Sequence, residues 1–467
     1  MGTLTALLDL SQNALEANQA AIDITSNNVA NANTPGYTDE VATWQENDSV
    51  TLSPTSSAGQ GASVSAVSER DPVLNQRVQQ QTQLQASSST ESAALTDLQS
   101  IFGITSSSSS AASTTIGTDI DSLFSAFGAL EASPSDGSVR QGVLNAAQTL
   151  ASDLNSASSQ IAQQTAGLNQ QVSGAVSEVN SLTASIAALN LQIESTSPNA
   201  DAGTLEDQRQ QDLTQLSQYI GFDQTRTENN GLTLTTANGA LLVSEGQSYA
   251  LSTNTANGNV DIVSSAGQDI TSGLTGGSLG GILQARDQDL PQVSSALDAL
   301  AYALGNAVNA QNEQGLDANG DAGGAIFNLP STAAGAAAAI SLATSDSNAI
   351  AAAAVGEGES GGSNATALSG LANQPLVNGQ TAAQYYATFL TQLGSTGSQV
   401  SDENTTQQAS LTQLTTQQGS ESSVSLDQEA SNLTLYERSY DAAAKVFTIV
   451  DELMASALNL GEETTVT

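Results

Sequence analysis

The sequence predicts a mainly α protein with a β-rich inserted domain, in which paired N- and C-terminal coiled-coil-like helices accompany a long-helix bundle. Three observations carry this. A heptad-like apolar seam stands at each end of the chain, a spacing of three or four residues persists from Leu144 to Ile193, and the period changes to two between residues 222 and 270.

The first seam runs Leu4, Leu8, Ser11, Leu15, Asn18, Ile22, Thr25, Val29 and Ala32, with polar residues in alternate layers. No glycine or proline interrupts residues 3–33. So narrow a stripe buries itself against few partners, as in a coiled coil. It stops in "SNNVANANTPGYT", where Asn27, Asn28, Asn31 and Asn33 lead into Thr34, Pro35, Gly36 and Tyr37. Pro35 drives Thr34 out of the helical region, and Pro35-Gly36 suits the two central positions of a type II turn. Asparagine side chains add bonds to nearby backbone.

In the central helix, Gly167 and Gly174 each cost about 1 kcal/mol relative to alanine, and Pro198 and Gly203 end it. Further helices are suggested by Leu205, Leu213, Leu216 and Ile220, and by Val293, Leu297, Leu300, Leu304 and Val308. Between these two helices "GLTLTTANGALLVSEGQSYALST" and "NGNVDIVSS" alternate, with Asn238-Gly239 and Asn257-Gly258 as hairpin turns. Low-complexity stretches at 105–115 and 356–362 read as loops. The C-terminal seam repeats every seven residues through Leu426, Leu433, Tyr440, Phe447 and Met454, with Tyr436, Ala443, Val450 and Ala457 between. A lone helix of this kind is marginal in water, so the two seams require partners. The expected division is therefore a paired segment of residues 1–50 and 420–467, a long-helix bundle of 51–215 and 365–419, and a β-rich insert of 216–364 with a helix near 285–312.

At 467 residues the chain has room for about two to four domains. Its net charge is −39, carried against Lys445 and seven arginines, which disfavours nucleic acid and anionic membrane surfaces. Only 12% of residues are charged, so the surface is rich in small polar side chains. The sequence has no cysteine and no histidine. That removes disulfides, thiolate metal sites, Ser-His-Asp triads and His-ligated zinc or haem. The N-terminus lacks the basic region of a cleavable signal peptide, and no run of eighteen or more apolar residues occurs.

The remaining motifs point to no catalysis and no cofactor. Gly356, Gly358 and Gly361 satisfy GxGxxG, but Glu357 and Glu359 would repel a pyrophosphate. Asp317, Asn319 and Asp321 hold the first positions of a calcium-loop pattern, yet Ala322 stands where glycine is needed and Asn328 where glutamate is. The acids Asp201, Glu206 and Asp207 could in principle serve glycoside cleavage. Aromatic residues, at 3%, are too few to suggest a sugar platform. The sequons at Asn364, Asn404 and Asn432 suit an Asn- and Thr-rich composition.

"SNNVANANTPGYT" resembles the N-terminal signature of the bacterial flagellar rod, hook and hook-associated proteins, and "SSVSLDQEASNLTLYERSYDAAAKVFTIVDELMASALNL" resembles its C-terminal counterpart. Interior segments such as "TLEDQRQQDLTQLSQYIG" and "LAYALGNAVNAQNEQGLDANGDAGGAIF" are similar to the hook-associated branch. Thr38-Asp39-Glu40 departs from the family's frequent Ser-Arg, Val424-Ser425 from its common Gly-Val-Asn, and the middle is short. The resemblance implies that both terminal helices enter an inner tube, with Leu4, Leu8, Leu15, Ile22, Val29, Leu426, Leu433, Tyr440, Phe447 and Met454 as assembly positions. It further implies a structural, non-enzymatic adaptor at the hook-filament junction. The implied partners are the hook protein, a second junction protein, further copies in a ring, an export chaperone for the C-terminal helix, and the flagellar type III export apparatus. The implied location is the extracellular flagellum. Alternatives are another axial part, such as hook or distal rod, and a secreted adhesin or carbohydrate-active protein.

Overall fold

A computed structural model describes residues 2–48, 50–53, 56–104, 115–197, 201–256, 258–358 and 360–463. The chain opens with α1 (Gly2–Asn31), β1 (Glu40–Glu46), β2 (Val50–Ser53), β3 (Ser56–Ala58) and β4 (Ala62–Ser68). Four helices follow: α2 (Pro72–Ile101), α3 (Thr115–Ala132), α4 (Gly137–Thr196) and α5 (Thr204–Tyr219). Next come β5 (Asp223–Arg226), β6 (Leu232–Thr235), β7 (Leu241–Ser244), β8 (Gln247–Ser248), β9 (Ser252–Ala256) and β10 (Asn259–Val263). The last part holds α6 (Gly277–Gln284), α7 (Leu290–Asn312), α8 (Ala336–Ala339), α9 (Ser363–Gly370), α10 (Ala382–Ser422) and α11 (Leu426–Glu463). The protein is mainly helical, as expected, and its sheets are small and antiparallel.

The chain divides into two compact units. The first comprises Met1–Gln83, Glu178–Leu251 and Ala409–Thr467; the second comprises Leu84–Ser177 and Ser252–Gln408.

In the first unit α1 packs along α11 and over β1 and β4. The uninterrupted run of helix-tolerant residues carries α1 from Gly2 to Asn31, where the Pro-Gly turn stops it. Strands β1 and β4 form a ribbon in which Val41 faces Val67 and Trp44 faces Val64. Elsewhere in the unit, the end of α4 buries Ile186 and Ile193, and α5 buries Leu213 and Leu216. The sheet β5-β6-β7-β8 buries Leu232 and Leu234 on alternate positions of β6, the period-two pattern expected of a strand with one buried face. The expected turn is present: Gly239 has φ +82°, and the Thr236 N–H donates to the Ala240 carbonyl at 2.9 Å.

In the second unit α3 packs on α9, which also meets α7, and Ile120, Leu123 and Phe127 of α3 and Leu144, Leu150 and Leu154 of α4 are buried. Helix α4 tolerates Gly142, Gly167 and Gly174 because each faces open space and leaves the buried stripe intact. Its buried arginines are held by oxygen acceptors. Arg286 donates to Asn169 Oδ1 (3.0 Å), to the Val260 carbonyl (2.6 Å) and to both Asp287 oxygens. Arg140 donates to the Pro134 and Ile350 carbonyls. A π-helical turn at Ala285–Asp289 joins α6 to α7.

The expected division into three parts does not coincide with these units, whose boundaries fall within α2, α4 and α10 and between residues 251 and 252. Continuous helical hydrogen bonding lets one element serve more than one core, which a scan for turn residues does not register. The 216–364 insert is mostly helix and short strand pairs beyond β10, and its expected helix near 285–312 is the π turn followed by α7. The loop expected at 105–115 has its residues 105–114 outside the described residues, and Thr115 opens α3. Pro198, Asn257 and Glu359 also lie outside them. The glycines at 356–362 form turns before α9. Asp317 accepts from the Asn319 and Asp321 N–H groups, as in a closed turn.

Candidate functional site

The signature segment forms a clasp within the first unit. A hydrogen bond from Tyr37 N–H to the Thr34 carbonyl (3.2 Å) closes the Thr34–Tyr37 turn around Pro35 and Gly36. Gly36 has φ +78°, the value its position in a type II turn requires. Gln211 of α5 donates to the Pro35 carbonyl at 2.9 Å. Asn31 donates to the Asn27 carbonyl and accepts from Thr34, while Asn33 and Asn27 face solvent.

Asn28 is the hub. It is 1% exposed, and its amide donates to the Glu40 carbonyl (2.8 Å) and to Glu429 Oε2 on α11 (3.1 Å). Its Oδ1 accepts from the Tyr37 hydroxyl (2.8 Å) and the Glu40 N–H (3.1 Å). Two donors and two lone pairs are thereby all used, the full capacity of a primary amide. Burial, followed by Glu40, Asp207, Asp39 and Glu429, pushes the Tyr37 phenol well above its ordinary range, so it remains a donor.

Beside this hub Asp207 of α5 accepts from Thr38 N–H (3.0 Å) and Thr38 Oγ1 (2.7 Å). Arg70, after β4, donates to Asp207 Oδ1 (2.6 Å) and Glu206 Oε2 (2.5 Å), and lies 3.7 Å from Asp201. Burial works against the Asp201 carboxylate, but bonds from Gly203 and Ser68 outweigh it and hold the carboxyl below its usual range. Glu40 is shifted the other way, by burial and then by Asp201 and Asp207, with Arg70 opposing. The three acids weighed as hydrolytic candidates are therefore tied to one arginine and to backbone N–H groups.

Beyond the turn, Asp39 N–H donates to the Ser422 carbonyl at the end of α10 (2.9 Å), and Trp44 meets Tyr436 of α11 with ring centroids 6.2 Å apart. An open cleft of ≈ 600 Å³, lined by Pro35, Tyr37, Arg70, Asn75, Gln211 and Gln418, lies alongside. Among the described residues no group of three or more acids is placed to hold a metal ion, and no helix is long and apolar enough to cross a membrane.

The seams keep part of their sequence pattern: the polar layers Ser11, Asn18 and Thr25 are covered, and most of the apolar positions are only partly so. Leu4, Leu8, Leu15, Ile22, Leu433, Tyr440, Phe447 and Met454 are half-buried, while Val29 is 43% and Leu426 53% exposed. The positions of α1 that are fully covered are Ser11, Ala17, Asn18, Ala21, Thr25 and Asn28. Ser11 and Asn18 donate back to the Leu8 and Ala14 carbonyls, so the polar layers are satisfied without leaving their own helix. A straight helix drifts by about 20° per heptad against a 3.5-residue step, which carries Val29 off the contact line by the last turn. The sequence reading missed Arg70, Gln211 and Glu429, and weighed Asp207 only as a hydrolytic candidate. Glu429 lies 401 residues from Asn28, and only the scarcity of cations in the chain offered a hint of Arg70.

Comparison with known proteins finds relatives for both ends and the middle of the chain. A flagella basal body rod protein family matches residues 8–38, the flagellar hook-associated protein FlgK helical domain matches 103–327, and a flagellar basal body rod FlgEFG C-terminal family matches 417–460. Flagellar hook-associated protein 1 of Escherichia coli is 30% identical over 71% of this chain and 61% of its own length. The chain thus spans less than two thirds of that relative. The Bacillus subtilis protein of the same name is 26% identical over 97% of both chains. The structure of the flagellar hook junction protein FlgK from Burkholderia pseudomallei has a TM-score of 0.67 and 22% identity, covering 75% of this chain and all of that one; this likeness bears on the fold. A clasp uniting both termini, bracketed by rod-type N- and C-terminal matches, places this chain in the family of flagellar hook-associated protein 1, among the axial proteins of the bacterial flagellum.

Proposed function

We propose that the chain is a structural, non-enzymatic part of the hook-filament junction, forming its hook-proximal portion as an adaptor on which the second junction protein and then the filament assemble. The observation that carries this reading is the clasp itself, which joins the helix at each end of the chain through Asn28 and Glu429. Residues 1–50 and 420–467 form the segment that enters the axial tube, and the seam positions from Leu4 to Val29 and from Leu426 to Met454 meet neighbouring subunits there. Exposed apolar side chains on α11, with Val446, Ile449 and Leu453 at spacings of three and four and Leu435 three turns earlier, support that role, since clustered exposed apolar side chains signal an interaction surface. The partners are the hook protein, further copies in a ring and the second junction protein. Delivery uses the flagellar type III export apparatus with a chaperone on the C-terminal helix, and the mature location is extracellular.

The test is electron microscopy of labelled protein mixed with isolated hooks stripped of their distal proteins. Binding confined to the distal tip, followed by recruitment of the second junction protein, is expected. Binding along the sides, or none on hooks competent for another junction protein, refutes the adaptor role.

A further inference from the structure

Asp39 follows the signature turn and is 7% exposed, and Glu429 on α11 is 4% exposed. They come from opposite ends of the chain. The Asp39 backbone is fixed at both groups: its N–H donates to the Ser422 carbonyl at 2.9 Å, and its carbonyl accepts from Glu69 N–H at 2.8 Å. Its side chain is not fixed in this way, because Oδ1 is buried without a hydrogen-bond partner. Glu429 accepts from Asn28 (3.1 Å) and Asn432 (3.2 Å), which keeps its carboxylate beside the arm. The charged groups that act on Asp39 are Glu429 from α11, Glu69 from the end of β4, and Glu40 from β1. All three are acids. Arg70, which follows Glu69, is committed to Glu206 and Asp207 of α5.

A buried carboxyl with no cation and an unmet oxygen is poorly suited to carry charge. We propose that Asp39 is a proton-operated latch, which holds the N-terminal arm on α11 while it is protonated and weakens that hold when it ionises against Glu429. Burial, then Glu429, then Glu69 raise the Asp39 carboxyl to about 6, against a partial counterweight from a backbone hydrogen bond. Because the folded value lies above the ordinary one, the stabilisation is complete below about pH 4 and is lost as pH rises through about 6. The grip between the two chain ends is thus set by pH in the range just below neutrality. The latch stands on the clasp geometry alone, whichever axial position the protein occupies, so its failure leaves the adaptor role untouched.

Trp44, the chain's single tryptophan, touches Tyr436 across the same junction and reports on it directly. The experiment follows Trp44 fluorescence of the full chain in urea between pH 4.5 and 8 and extrapolates the clasp-opening constant to zero urea. The expected result is a rise of about 25-fold between these pH values, half complete near pH 6. Asp39→Asn, neutral and of the same shape, is expected to reduce the rise to less than about threefold while far-UV circular dichroism shows the helices retained. Glu429→Gln is expected to move the midpoint to lower pH, because ionised Asp39 then meets one fewer negative charge. A wild-type opening constant that is flat with pH, an Asp39→Asn profile that matches wild type, or a midpoint unmoved by Glu429→Gln would each overturn the latch.

Discussion

Replacing Asn28 by alanine removes every side-chain bond of the clasp hub at once. Four groups lose their partner: the Glu40 N–H, the Glu40 carbonyl, the Tyr37 hydroxyl and Glu429 Oε2. A neutral bond contributes about 1 kcal/mol net and one to a charged acceptor about 2 kcal/mol, which gives an upper figure of about 5 kcal/mol. Tyr37 and Glu40 are half-buried and recover part of this through water, so the expected loss is about 3 kcal/mol. The assay is urea unfolding of the full chain monitored at Trp44, whose contact with Tyr436 lies in the same junction. Asn28→Asp is expected to be at least as damaging, because it keeps the shape but adds a further acid to the group formed by Asp39, Glu40, Glu69 and Glu429. A loss below about 1 kcal/mol in the alanine variant, or an aspartate variant as stable as wild type, would refute the view of Asn28 as a saturated hub.

Arg70→Leu leaves Glu206 and Asp207 without their cation, and breaking a buried pair from one side costs about 3 to 5 kcal/mol; thermal unfolding of the first unit measures it, and Asp207→Asn in the same background should recover part of the loss. Gly36→Ala must adopt φ +78° and push into Gln211, so a destabilisation of about 1 kcal/mol or more is expected in urea titration. In the second unit Glu91 is raised to about 7, by burial, then Asp289, then Glu403, and Asp289 to about 6 by burial. Both folded values exceed the ordinary ones, so the contribution of these two groups to the unit's stability is complete below about pH 4 and is lost as pH rises through 6 to 7. Glu91→Gln should flatten the dependence of its urea midpoint on pH.

The turn at Pro35-Gly36 was legible because proline restricts its own φ and the residue before it, and because glycine accepts a positive φ whatever surrounds it. The hairpin at Asn238-Gly239 was legible for the same local reason. The ribbon of β1 to β4 and helix α2 were not: α2 reads "PVLNQRVQQQTQLQASSST", with too few apolar residues to show a period. Its position depends on neighbours that supply the buried surface. Asp201, Glu206 and Asp207 stood out in the sequence only as clustered acids, and the placement of Arg70 and Thr38 against them became visible in the packed chain.

The sequence by itself determined the two terminal helices and the long central one, the turn that stops the first, and the absence of histidine- and cysteine-based chemistry, because spacing, proline, glycine and residue type act within one or two turns of the chain. Tertiary structure alone decided which residues form the contact between the ends. The apolar heptad gave prominence to leucines and aromatics, yet on α1 the covered positions are the seam's polar layers Ser11, Asn18 and Thr25 together with Ala17, Ala21 and Asn28. Small side chains are covered fully where two helices approach closely, while long ones reach past the contact line and remain half in solvent. That distance of approach, and the meeting of Asn28 with a glutamate 401 residues away, are properties of the packed chain, on which no local pattern reports.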